Sequence, residues 1–154
     1  MKPTRKIAWA ARWLARGVPG VYRAARSAGL GRRESLRVLE ASAYVLALAK
    51  KRYPRRWRAE NAVRHFVWQA WLTATYGREV AAAIGRAHER TSRDGVDSSV
   101  DRGNNLLGQA YGEAHAQEIR SSEMRPAQSA LADEAGRLWN AGQLTASTGS
   151  GGGT

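Results

Sequence analysis

Apolar residues recur every three or four positions along almost the whole chain. Val, Ile and Thr nowhere alternate with polar residues over four or more positions, so the pattern predicts helices and no sheet. A first amphipathic helix is expected over 4–16, with Ile7, Ala11 and Leu14 on one side and Arg5, Arg12 and Arg16 on the other. Gly17, Pro19 and Gly20 end it. A short helix over 21–27 stops at Gly29 and Gly31, and a long one follows over 33–52. Its stretch 41–49 is apolar on all sides, the mark of a helix enclosed by others. Pro54 breaks it, the next helix runs over 56–76 up to Gly77, and another covers 78–89. The segment 90–99 has the Gly, Asp and Ser content of a loop. Helix resumes over 98–120, and a last one over 126–140 starts on Pro126, which a first turn tolerates.

The pattern thus predicts an all-α chain, a single compact bundle of six or seven helices with a central apolar helix. Residues 1–32 form an N-terminal arm, 33–142 the helical domain and 143–154 a Gly/Ser/Thr tail expected to be disordered. The longest apolar run falls far short of the roughly 20 residues a bilayer-spanning helix needs. Arg12 interrupts the early apolar stretch before it could form a Sec signal, so no Sec export is expected and the chain is read as cytoplasmic or delivered as an effector.

Charge divides the chain unevenly. Of 25 Lys and Arg, 16 lie at or before Arg58 beside 2 acidic residues, while the remainder carries 9 against 11. Residues 1–58 are therefore expected to be drawn to nucleic acid, an anionic membrane or another acidic surface. With no cysteine, disulfide frameworks, thiol catalysis and Cys-based zinc sites are excluded, and any metal must be held by His and carboxylates.

The chemistry concentrates between Asn61 and His115. At about 100° per residue, Asn61, His65, Trp68 and Leu72 form one stripe of their helix with Arg64 and Gln69 at its borders. Val63, Phe66, Val67, Ala70 and Ala74 fill the opposite side, so both faces require cover. On the helix after the loop, Asp101, Asn104, Asn105, Gly108, Gly112 and His115 share a side, and the two glycines would admit a close backbone or ligand. Arg102, Gln109 and Glu113 are assigned to its solvent face. His88 falls on the inward face with Val80, Ile84 and Ala87, whereas Glu89 lies about 100° away and joins a site only if the helix frays.

Two imidazoles and a carboxylate, His65, His88 and Asp101, make a ligand set for one divalent ion, zinc, manganese or iron, whose bound water would be the nucleophile. Glu89 is then the candidate general base and Arg64 the anion clamp, with Asn61, Trp68, Asn104 and Asn105 as substrate-binding residues.

The ordered set Asn61-x-x-Arg64-His65-x-x-Trp68, Gly77, His88-Glu89 and Asp101-x-x-Asn104-Asn105-x-x-Gly108 resembles an uncharacterised bacterial domain. That domain occurs at the C-terminal ends of some Rhs-type and wall-associated polymorphic toxins, and also alone. The resemblance spans 60–112, about a third of the chain. It implies a small helical domain with clustered polar residues, a toxin or effector setting, and an immunity protein as partner; it implies no mechanism.

Three readings follow. The first is an effector-like hydrolase, metal-dependent or not, acting on a phosphate-bearing substrate such as nucleic acid. The second is a non-catalytic binding module: the basic arm binds nucleic acid or a membrane, and the polar residues only fasten helices together. The third uses Glu89 with Asp94 or Asp97 as the carboxylate pair of a glycoside hydrolase, which leaves both histidines without a role. Ser98 and Ser99 stand on no nucleophile elbow.

Overall fold

Seven helices follow one another in the computed structural model, which describes residues 18–91 and 97–146: α1 (Val18–Ser27), α2 (Arg32–Arg52), α3 (Trp57–Tyr76), α4 (Arg78–Thr91), α5 (Asp97–Ala114), α6 (Ala116–Ser121) and α7 (Met124–Asn140). No strand occurs among the described residues. The expected helix over 4–16 and most of the expected tail lie outside them.

Helix α2 begins with Glu34 in its first turn and ends on Lys50, Lys51 and Arg52, charges that complement its dipole at both ends. One side of its apolar stretch packs against α1, α3 and α7, with Val38, Ala41, Val45, Leu46 and Ala49 buried, while Ala47 is exposed. Helix α3 is more enclosed still and touches α2, α4, α5, α6 and α7. Phe66, Val67, Trp68, Trp71 and Leu72 are all buried, which explains why neither of its faces reads as a solvent face. The element assigned to the arm as 21–27 belongs to the bundle, because α1 buries Val21, Ala24 and Ala25 against α2 and α4.

The glycines on α5 receive a backbone, not a ligand. A methyl group at Gly108 would stand 2.6 Å from the Phe66 carbonyl oxygen, and one at Gly112 would overlap the Ala70 carbonyl oxygen. Helices α3 and α5 therefore cross main chain on main chain, a spacing only a side chain of one hydrogen allows.

Three boundaries differ from expectation. Helix takes up part of the expected loop 90–99, since α4 continues to Thr91 and α5 starts at Asp97. The helix expected over 98–120 breaks at His115, whose backbone leaves the helical region (φ −115°, ψ 20°). Finally, Gly142 adopts a left-handed conformation (φ 70°), and the Gln143 and Gly142 amides bond back to the Leu138 and Trp139 carbonyls. This Schellman closure turns the chain back onto the bundle, so Leu144, expected in the tail, is buried.

Candidate functional site

The α3 stripe read from the sequence faces two different neighbours. Toward α5 and the end of α4, it feeds a continuous chain of polar contacts. Arg64 donates to Asn61 Oδ1 (2.5 Å), and Asn61 Nδ2 donates to Asp101 Oδ1 (2.6 Å). The other carboxylate oxygen, Asp101 Oδ2, faces His65 Nε2 at 3.3 Å. On the far side of the ring, His65 Nδ1 meets Asn105 Oδ1 at 3.0 Å, while Asn105 Nδ2 donates to Glu89 Oε1 at 3.2 Å. Because the Asn105 amide nitrogen is turned to Glu89, its oxygen takes the Nδ1 proton of His65. The chain thereby ties α3, α4 and α5 through six side chains.

Most of it is dry. His65, Asp101 and Asn105 are buried. Burial alone would push the Asp101 carboxyl up, but hydrogen bonds from His65 and Asn61 and the positive charges of His65 and Arg64 hold it below the usual carboxylate value. Burial pulls the Arg64 guanidinium below its ordinary value against the opposing pull of Asp101 and Glu60. A cation short of water is one that an incoming anion stabilises.

Toward α1 and α2, the same helix borders a cleft of about 60 Å³. Val21, Val45 and Leu46 supply apolar walls; Arg64, His65 and His88 bring the polar groups. Trp68 also lines it, packed edge-on to His88 at 5.4 Å between ring centres, with its indole N–H donating to Ser42 Oγ at 2.8 Å. Ser42 in turn donates to the Val38 carbonyl. Burial, then the charges of His65 and Arg64, lower the His88 pKa to about 4 despite Asp101 pulling the other way. His88 is accordingly a neutral imidazole at pH 7, able to accept a proton.

The candidate residues thus separate into groups. Arg64, His65, Trp68 and His88 share the cleft. Asn61 and Asp101 stand behind them as holders of Arg64 and His65. Glu89 and Asn105 border a different groove, between α4 and α5. Glu89 reaches the chain without any fraying of α4, because its long side chain spans the angle that the helical wheel leaves open. Asn104 stands apart from the cleft. Fully buried, it donates to the Thr145 carbonyl (2.9 Å) and accepts from the Thr145 amide (3.0 Å), holding the returning C-terminal segment.

The ring centres of His65 and His88 are 6.1 Å apart. Among the described residues, no group of three His, Asp or Glu side chains stands in a metal-holding arrangement. Asp94 and the side chain of Asp97, the two expected carboxylate partners of Glu89, lie outside what the structure describes.

Sequence reasoning also missed participants. Gln109, assigned to solvent, is buried and donates to Gln69 Oε1 at 2.8 Å, while Gln69 Nε2 donates to the Ala81 carbonyl at 3.2 Å. Ser42 could have been found as the hydroxyl inside an otherwise apolar run.

Residues 32–134 match the model of a family described as a domain of unknown function, DUF6973. The chain belongs to this family. Its matched segment contains every residue of the polar chain and of the cleft except Val21 of α1. No curated protein and no solved structure matches the chain. No helix among the described residues is long and apolar enough to cross a membrane.

Proposed function

We propose that this DUF6973 domain is a hydrolase acting on a phosphate-bearing substrate such as nucleic acid, in an effector or toxin setting. The observation that carries the reading is the convergence of Arg64, His65 and neutral His88 on one apolar-walled cleft. Arg64, partly stripped of water, would pair with the anionic oxygens of the substrate. His88 would take the proton of an attacking hydroxyl or water. His88, once protonated, would return that proton to the leaving oxygen, while His65, with both ring nitrogens held by Asp101 and Asn105, would fix the wall of the cleft. The toxin setting rests on the motif resemblance alone. A divalent ion shared by His65, His88 and Asp101 is the metal-dependent form of the same reading, and elemental analysis of the purified chain decides it.

The test is hydrolysis of RNA and DNA by the full chain and by His88→Gln, with folding checked by circular dichroism. The expected loss in kcat/KM is about a hundredfold or more. Full activity in the variant would remove His88, and the reading with it.

A specific observation favours a second reading. Both ring nitrogens of His65 and both oxygens of Asp101 are already engaged inside the protein. The polar chain would then be a fastening, and the domain a binding module whose basic first third contacts nucleic acid or an anionic membrane. Its test is removal of residues 1–17 only, since α1 is part of the core.

A further inference from the structure

Between α2 and α3 the chain turns a sharp corner in which six of the nine residues 50–58 are Lys or Arg, and no acidic residue occurs between Glu40 and Glu60. Arg52 is neutralised at home, because it pairs with Asp133 and bonds Ser129 on α7. Lys51, Arg55, Arg56 and Arg58 are exposed to solvent. In their midst Trp57 is 54% exposed, an unusual state for the most expensive side chain to leave in water. The Arg58 guanidinium lies over its ring at 5.5 Å, and the Arg56 guanidinium lies over Tyr53 at 6.0 Å. At Arg55 the backbone is left-handed (φ 62°), a conformation that costs a non-glycine residue about 1 kcal/mol or more.

We propose that this corner binds single-stranded nucleic acid, with Trp57 stacking on a base and the surrounding guanidinium and ammonium groups holding the phosphates. Every base has a face to stack, and a strand's unpaired bases can reach an exposed indole as those of a duplex cannot. A membrane surface fits less well. Interfacial binding buries a broad apolar face, and here the apolar offering is one indole inside a ring of charge. The corner also aligns with the cleft. Trp57, Asn61, Arg64 and Trp68 recur at i, i+4, i+7 and i+11 on one stripe of α3, so Arg64 lies about 10 Å further along the helix. A strand gripped at the corner would run toward Arg64, which makes single strands the substrate class of the cleft. That last step rests on the hydrolase reading; the binding itself does not.

The experiment is fluorescence anisotropy of the full chain with labelled single strands, DNA or RNA, the matching duplex, and vesicles of phosphatidylcholine and phosphatidylserine. Single strands should bind most tightly, with affinity falling steeply between about 50 and 200 mM salt. Trp57→Ala should weaken single-strand binding at least fivefold, roughly the lower end for loss of one stacked base, and leave duplex binding unchanged. The triple variant Arg55→Gln, Arg56→Gln, Arg58→Gln should reduce the slope of log affinity against log salt by about 2. Circular dichroism confirms that both variants fold. Unchanged single-strand affinity in Trp57→Ala, or tighter binding to duplex or vesicles, overturns the proposal. Strand binding without any hydrolysis by the parent chain would retain the corner and reject the cleft chemistry.

Discussion

Against α5, helix α3 has no room to spare: two glycines bring main chain onto main chain, and Asp101, His65 and Asn105 bond one another out of reach of water. Against α1 and α2, the same helix leaves a cleft into which Arg64 and His88 project. One side fixes the rings and carboxylate in place, while the other leaves reactive groups accessible. His65 borders both, and with its two ring nitrogens engaged on the closed side it holds the wall beside which Arg64 and His88 are placed. The difference teaches that the buried polar residues of the motif divide into those that hold and those that could act.

The contrast breaks first at Asp101. Asp101→Ala leaves His65 and Asn61 facing an empty buried space, and the expected loss of unfolding free energy is about 3 kcal/mol. Urea denaturation measures it, and a loss under about 1 kcal/mol would show that the closed side is not a fastening.

The next effect belongs to the open side and depends on pH. An unfolded His88 takes up its proton near pH 6.5, whereas the folded one resists until about pH 4. Between these values the unfolded state binds more protons, so stability is lost as pH falls from 6.5 to 4 and does not fall further from this group below that. His88→Gln lacks this dependence. The stability difference between parent and variant should shift by about 2 kcal/mol across the window, allowing for solvent reaching the half-buried ring. Equal pH curves would mean the ring is not buried in the cleft.

The smallest effect concerns the corner where α3 begins. Arg55→Gly should raise stability by up to about 1 kcal/mol, because glycine adopts the left-handed backbone without strain. If the corner is a binding surface, the same variant should bind single strands less well. A rise in melting temperature accompanied by undiminished binding would show that Arg55 contributes no contact.

Much of this arrangement was legible in the sequence, for definite reasons. The helices declared themselves because each carries an apolar stripe at the 3.6-residue period, and α3 stood out because both of its faces are covered. The shared stripe of Arg64, His65 and Trp68 followed from the same geometry. Spacing along one helix gives angles but not reach, so it made contact by Glu89 conditional on fraying of α4, when the side chain meets Asn105 without it. Nor does residue type settle burial: Gln109 read as solvent-facing because its amide has no visible partner until Gln69 arrives from another helix. The partner of Asn104 was out of reach altogether, since Thr145 lies 41 residues further on and meets it only through the turn at Gly142.

That turn sets a lower limit on the self-sufficient unit. A fragment cut where the family match stops, at residue 134, would sever α7 midway. Even one cut at Asn140 would lose the Leu144 plug and leave the Asn104 amide, sealed from water, with neither its donor nor its acceptor satisfied. Expression boundaries for this domain therefore belong beyond Thr145.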